Sequence, residues 1–442
     1  MIKAIKEKIS ELANGGANTI IFDSSIVTKS KIFINNLINK LSEYTLSVSK
    51  STIYELKLLS NNETIYAENA LHILEYVNKN ILKELNYIDK ITTRSFSVFD
   101  SPHIFLTFTK LFAIEMLDNY YIKNAYAIIA IGDIFNVDLS SCNNKGTRYS
   151  IRTKLFPYKG SDTTERKTNE PIKNLVPLSN GAEGMIYHIE NNDVLKVFRQ
   201  SPSVNKKEKL KILSDFSYLR NLKNVVLPKY IYSQNETIAG YIMDKIDGIT
   251  LCEAMAEEAT YFRIIRNINK IINQALCTIL LCSLNDIVIS DLSLDNILVD
   301  AGNNIYIIDS DSFQIGNIPS ECFQPQYATK ELMSEFIVNG DCLSSYIRSY
   351  TCDTFAFLVL LFNIITGVHP LNNYQNSCES INFLSNAFIL KSTPLVYKGF
   401  PDESLYKWNS LPGNLKKLFI STFTSGKGCT IGNIISTLNY KE

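Results

Sequence analysis

The sequence predicts two domains, a layered Rossmann-like α/β domain followed by an α+β domain. Its 442 residues exceed what one hydrophobic core usually serves. The first third alternates short apolar strands with amphipathic helices, the pattern of a layered sheet. Residues 158–171, YKGSDTTERKTNEP, are polar, charged and aperiodic, and read as a linker. The expected boundaries are therefore 1–157, 158–171 and 172–442.

Apolar residues make up 45% and charged residues 20%, a globular composition. Lys plus Arg equals Asp plus Glu at 44 each, so no global field draws the chain to nucleic acid or anionic membrane. Nine cysteines without a C-x-x-C pair argue against a disulfide framework or zinc knuckle and favour a reducing, cytoplasmic setting. The start, MIKAIKEKISELANGG, is a charged amphipathic helix without the apolar stretch of a signal peptide. No segment reads as membrane-spanning; the most apolar helix, Phe355 to Ile365, is too short.

In order, Asn18 to Phe22 reads as a buried strand with Asp23 at its carboxyl end, where ligands collect in open α/β sheets. A helix over Lys29 to Tyr44, a strand near Leu46 to Val48, and helices over Thr52 to Leu59 and Thr64 to Asn78 follow. Glu55 lies in STIYELKLL, Asp100 in FDSPHIFLTF, and Asp133 ends the strand AYAIIAIGD. The order and surroundings of Asp23, Glu55, Asp100 and Asp133 resemble the PIN-domain family of metal-dependent ribonucleases. That resemblance implies one or two divalent ions activating water for phosphodiester attack, with RNA as partner. The region to Ser150 holds 16 basic and 15 acidic residues, a weak basis for phosphate neutralisation. Asp23 to Ser25 and IGDIFN near Asp133 also resemble a von Willebrand A metal site, although Val27 stands where that motif has a hydroxyl.

The second domain centres on ISDLSLDNILVDAGNNIYIIDSDSF, Ile289 to Phe313. Asp291 and Asn296 share a turn after a long apolar helix, Tyr261 to Leu284, and the strand Ile305 to Ile308 delivers Asp309. One hairpin can aim all three at one point. Phosphoryl transfer needs such groups, because metal ions and fixed dipoles neutralise the phosphate oxygens. Magnesium takes hard oxygen ligands such as Asp and Asn. The bland alternative is a polar hairpin whose Asp and Asn make turns only. Upstream, Gly181 and Gly184 in LSNGAEGMIYHI would let backbone amides approach phosphates. Lys196, inside the apolar strand Val194 to Phe198, needs a function or a partner.

This ordered series resembles the protein kinase superfamily, and DLSLDNILVD followed by IYIIDSDSFQI is closest to a bacterial kinase-like group with an Asp-x-Asp-Ser-Phe-Gln signature. The resemblance covers roughly Pro171 to Leu438 and implies a bilobal domain, with a small lobe over 172–248 and a large lobe over 249–442. It implies ATP with magnesium or manganese, and Asp291 orienting the attacking hydroxyl. Asn296 and Asp309 would hold metal, and Lys196 would contact phosphates while pairing with Glu208. Met243 would back the adenine, the backbone of Asp244 and Ile246 would bond its edge, and Asp247 would reach ribose. Asp353 would anchor the catalytic loop, and Glu331 would pair with Lys427. The chain departs from the family at Ile289 and Ser290, which replace His-Arg, and at Ser293, which replaces a lysine. Loss of that cation is expected to slow transfer. The expected function is an ATP-dependent Ser/Thr protein kinase of unspecified substrate. The alternative is an ATP-binding pseudokinase that regulates a PIN-like ribonuclease.

Overall fold

A computed structural model describes residues 1–85, 97–119, 122–131, 133–139, 167–168, 175–181, 183–189, 192–215, 219, 222–234, 237–339, 346–370 and 401–438. The architecture is mixed α/β. Helix α1 (Ile2–Ala13) buries Ile5 and Ile9, one turn apart on a single face. There follow β1 (Thr19–Phe22), α2 (Lys31–Lys40), β2 (Thr45–Ser49), α3 (Lys50–Ser60), α4 (Ala67–Asn78), β3 (Lys83–Leu85), β4 (Ser97–Thr107), α5 (Lys110–Asn119), β5 (Ile122–Ile131) and β6 (Asp133–Asp138). The strands form one sheet in the order β3-β2-β1-β4-β5-β6, parallel except for the final antiparallel pair. The order reverses at β1, whose neighbours are β2 and β4, so Asp23 sits at a topological switch point.

The helix expected over Lys29 to Tyr44 is shorter. Ser24–Thr28 forms a 3-10 turn, and the Ser30 hydroxyl then caps α2 by accepting from the Phe33 amide at 3.3 Å.

A second sheet contains β7 (Lys167–Thr168), β8 (Val176–Asn180), β9 (Gly184–Ile189), β10 (Asp193–Phe198), β11 (Tyr230–Gln234) and β12 (Thr237–Asp244), in the order β7-β11-β12-β10-β9-β8. Lys167 and Thr168 fall within the expected linker, yet they pair with β11 as an edge strand. Helix α6 (Val204–Asp215) lies between β10 and β11. Then come β13 (Gly248–Thr250), α7 (Leu251–Ala256), α8 (Glu258–Arg266), α9 (Ile268–Leu284), β14 (Ile287–Val288), β15 (Ile297–Asp300), β16 (Ile305–Ile307), β17 (Gln314–Ile315), α10 (Lys330–Asn339), α11 (Thr351–Thr366), α12 (Asp402–Asn409), α13 (Gly413–Ser425) and α14 (Ile431–Leu438). The single helix expected over Tyr261 to Leu284 breaks at Asn267, whose side-chain amide donates to the Arg263 carbonyl at 2.9 Å. Asn competes with the backbone in this way and favours helix ends. Among the described residues no helix is long and apolar enough to cross a membrane.

One apolar core runs from Ile20 and Ile104 in the first sheet to Leu280 and Leu358 in the helices. The last helix, α14, packs on α3: Ser51 and Thr430 share a hydroxyl hydrogen bond at 2.8 Å. A Cβ added at Gly432 would lie 2.1 Å from the Ser51 carbonyl oxygen. Gly432→Ala is therefore expected to destabilise the protein by about 1–3 kcal/mol through overpacking, read as a lowered denaturation midpoint.

Candidate functional site

The turn carrying Asp291 is anchored from two sides. Upstream, the Asp286 carboxylate accepts from the backbone amides of Lys110 and Leu111 at 3.0 and 3.2 Å, capping α5 of the first sheet's layer. Downstream, the buried Asp353 in the first turn of α11 accepts from the amides of Ile289 and Ser290, both at 2.8 Å. These bonds hold Ser290 at φ +71°, a backbone region that non-glycine residues seldom occupy. Arg348, fully buried, donates to the Ser290 carbonyl at 3.1 Å. Gln314 in turn fixes the Arg348 backbone, accepting from its amide at 2.7 Å and donating to its carbonyl at 3.0 Å.

Asn296 ties the turn internally. Its Nδ2 donates to the Asp291 carbonyl at 2.8 Å and to Asp291 Oδ2 at 2.9 Å. Its own carbonyl accepts from Ile308 at 3.0 Å, which brings Asn296 beside the chain that leads into Asp309. Asp309 adopts φ +63°, ψ +41°, turning the strand end back toward the site. Burial, the Asp309 charge adding to it, raises the Asp291 carboxyl to about 6 against the Asn296 hydrogen bond. Asn296 Oδ1 and Asp309 Oδ2 remain as hard oxygen acceptors, a donor set that suits a magnesium ion.

Lys196 is 4% exposed and donates to Asp309 Oδ1 and to Asp311 Oδ1, both at 2.9 Å. Asp311 is wholly buried; it also accepts from the Tyr241 hydroxyl at 2.7 Å and lies 3.2 Å from Lys206 Nζ. Burial would raise the Asp311 carboxyl, but the ammonium groups of Lys196 and Lys206 outweigh it and hold it well below the usual range. Burial likewise opposes charge on Lys196, and Asp311 and Asp309 overcome it, raising its amine.

The expected pairing of Lys196 with Glu208 is not formed, and Asp311 takes that place. On α6 the buried positions Lys206, Lys209, Leu210 and Leu213 define the inward face. Glu208 is half-buried off that face, and its helix presents cations to the site. Glu331 and Lys427 form no ion pair either; their segments meet where the Lys330 amide donates to the Gly426 carbonyl at 2.8 Å.

Of the two loop glycines, Gly181 donates its amide to the Gly184 carbonyl at 3.0 Å and closes the β8–β9 turn. Gly184 is demanded by strand packing, since a Cβ there would lie 2.5 Å from the Val197 carbonyl oxygen. Met243 is buried opposite Val194. Asp244 ends β12 and pairs with Lys229, while the Ile246 carbonyl accepts from Gly248 at 3.1 Å. Asp247 is exposed and pairs with Lys245 at 2.6 Å.

In the first sheet, Asp23 Oδ1 accepts from the Ser25 amide at 2.9 Å and from the Ser25 hydroxyl, and burial raises its carboxyl to about 6. Glu55, 3% exposed, accepts from the Ser24 hydroxyl and from the Gly432 amide at 3.1 Å. That carboxylate therefore serves the start of α14, where a negative charge suits exposed amides. The side chains of Asp100 and Asp133 lie outside the described residues. Among the described residues no three His, Cys, Asp or Glu side chains gather as a metal cluster.

No protein-family model matches the chain. Over 171 residues it is 28% identical to the probable serine/threonine-protein kinase MARK-B of Dictyostelium discoideum, an alignment covering 37% of this chain and 22% of that protein. The chain thus has a partial, kinase-like relationship and spans about a fifth of the relative's length.

Proposed function

We propose that the chain is an ATP- and divalent-metal-dependent protein phosphotransferase acting on serine or threonine. Residues 172–442 form the bilobal catalytic unit, with lobes at 172–248 and 249–442, and residues 1–157 form a PIN-like unit fused to it. The reading rests above all on Lys196 meeting Asp309 at 2.9 Å while Asn296 holds Asp291 at 2.9 Å in the adjoining turn. Lys196, from a distant strand, joins Asp291, Asn296 and Asp309 of one turn and hairpin, and the kinase-like relative supports the same class.

Asp291 orients the acceptor hydroxyl and takes its proton. Asn296 and Asp309 would hold a divalent ion, which when bound would neutralise phosphate charge. Lys196 orients the phosphates, with Asp311 keeping its ammonium charged and in place. The segment from Met243 to Ile246 lines the base, and Gly181 and Gly184 shape the covering turn.

One observation favours a second reading, an ATP-binding regulator without transferase activity. Ser293, where related enzymes carry a lysine, is fully buried and supplies no cation. Incubation with γ-labelled ATP and magnesium or manganese decides between them. Label on the protein or on a basic substrate, lost in Asp309→Asn, is the expected result. ATP binding without any transfer would overturn the transferase reading and favour the regulator.

A further inference from the structure

The glycine-rich turn places an acid where a nucleotide phosphate would have to go. Glu183 Oε2 lies 2.6 Å from Lys206 Nζ and 4.0 Å from Lys196 Nζ, so one carboxylate oxygen faces both ammonium groups. The other oxygen, Oε1, accepts from the Cys322 thiol at 3.2 Å, tying the turn to the segment after β17. Lys206 is itself held in position: Asp311 Oδ2 lies 3.2 Å away, and Ser203 accepts its backbone amide at 3.0 Å at the start of α6. Lys196 and Lys206 thus grip opposite oxygens of the single buried Asp311 carboxylate.

Charge makes the arrangement specific. Two lysines face three carboxylates: Lys196 bonds Asp309 and Asp311, and Lys206 bonds Glu183 and lies beside Asp311. Glu183 is the replaceable member, because its side chain is 40% exposed whereas that of Asp311 is wholly buried. When Glu183 swings away, Asp309 and Asp311 balance the two lysines, and Lys206 loses its hydrogen-bonded acceptor at 2.6 Å, leaving its ammonium to face the cleft. An anionic oxygen gains there what the carboxylate gave up, since hydrogen bonds to ionised groups are the strong ones.

We infer that Lys206 is a second nucleotide-phosphate cation, and that Glu183 is an internal phosphate mimic which occupies its site until ATP displaces it. The inference rests on the ATP-binding reading above and adds a cation which that reading lacks at Ser293. It also assigns one of the two inward lysines of α6 a ligand role in place of a purely structural one. Ligand entry is then an exchange of one anion for another, coupled to lifting of the β8–β9 turn and release of Cys322.

Calorimetric titration of the full chain with magnesium-ATP, with adenosine and with inorganic tripolyphosphate tests this in the wild type, Glu183→Gln and Lys206→Met. Glu183→Gln is expected to tighten ATP and tripolyphosphate by about three- to tenfold and to leave adenosine unchanged. Lys206→Met is expected to weaken both polyphosphates by about ten- to a hundredfold, again sparing adenosine. Structural damage cannot tighten binding, so the Glu183→Gln arm stands even if Lys206→Met folds poorly. Unchanged polyphosphate affinity in Glu183→Gln, or in a folded Lys206→Met, would overturn the proposal and leave Lys206 as a counter-ion to Asp311. Tripolyphosphate binding that responds to both variants, with no preference for ATP over tripolyphosphate, would retain the anion site while removing the nucleotide reading.

Discussion

Asp311→Ala is expected to destabilise the protein by about 3–5 kcal/mol, the usual consequence of removing one partner from a buried ionic network. The carboxylate accepts from Lys196 at 2.9 Å and from the Tyr241 hydroxyl at 2.7 Å, forms an ion pair with Lys206 at 3.2 Å, and is itself wholly buried. Truncation leaves two nearly buried ammonium groups facing each other with Glu183 and Asp309 as remaining counter-ions. The measurement is the denaturant midpoint against the wild type, with Asp309→Asn as comparison. Asp309 is the outer member of the pair, its side chain 33% exposed, so its substitution should spare most of the stability and remove the phosphate transfer. The sign with pH follows from the depressed Asp311 pKa. Its stabilisation is present above the ordinary Asp value of about 3.9 and fades as pH falls below that toward the folded-state pKa. Asp311→Ala should lack that acid-side loss.

Asp291→Asn is expected to lower phosphate transfer by about two to four orders of magnitude, the range for a positioned general base. The amide keeps the shape of the turn but cannot accept the hydroxyl proton. With the Asp291 carboxyl raised to about 6 by burial, the wild-type rate should climb with pH through about 6 and level above it. Below that pH the base is protonated and idle. The residual rate of Asp291→Asn should show no such limb. A limb that persists unchanged would assign it to another group and remove Asp291 from the role of base.

Much of the site was legible because its spacing is local. Asp291, Asn296 and Asp309 lie on one turn and hairpin, so the sequence alone predicts their convergence. The anchoring role of Asp353 follows from the resemblance of its apolar helix to the central helix of a kinase large lobe, and the structure shows the carboxylate accepting from Ile289 and Ser290. Long-range charge pairing was less visible. Glu208 was the nearest acid on the right helix, but only the phase of burial shows that Lys206 and Lys209 face inward with Leu210 and Leu213. That phase was readable in principle, since positions three and four apart share a helix face. Arg348 and Gln314 carried no signal: their bonds are to backbone, and backbone partners leave no trace in residue spacing. Glu55 reads as a metal ligand only through the PIN-family resemblance, and its packing partners could not be foreseen. It accepts from the Ser24 hydroxyl and from the amide of Gly432, the latter almost at the other end of the chain.

The shared core sets a limit on how this chain can be dissected. Helix α14 is the last described element, yet Glu55 and Ser51 near the start of the chain receive it, and Asp286 reaches back to α5 from five residues before Asp291. A fragment beginning at residue 172 would expose the apolar face of α14, orphan Asp286 and loosen one anchor of the turn that carries Asp291. For the same reason recombination could not exchange the first unit as a free cassette. Its replacement would have to bring an acid for the Gly432 amide and open backbone amides for Asp286.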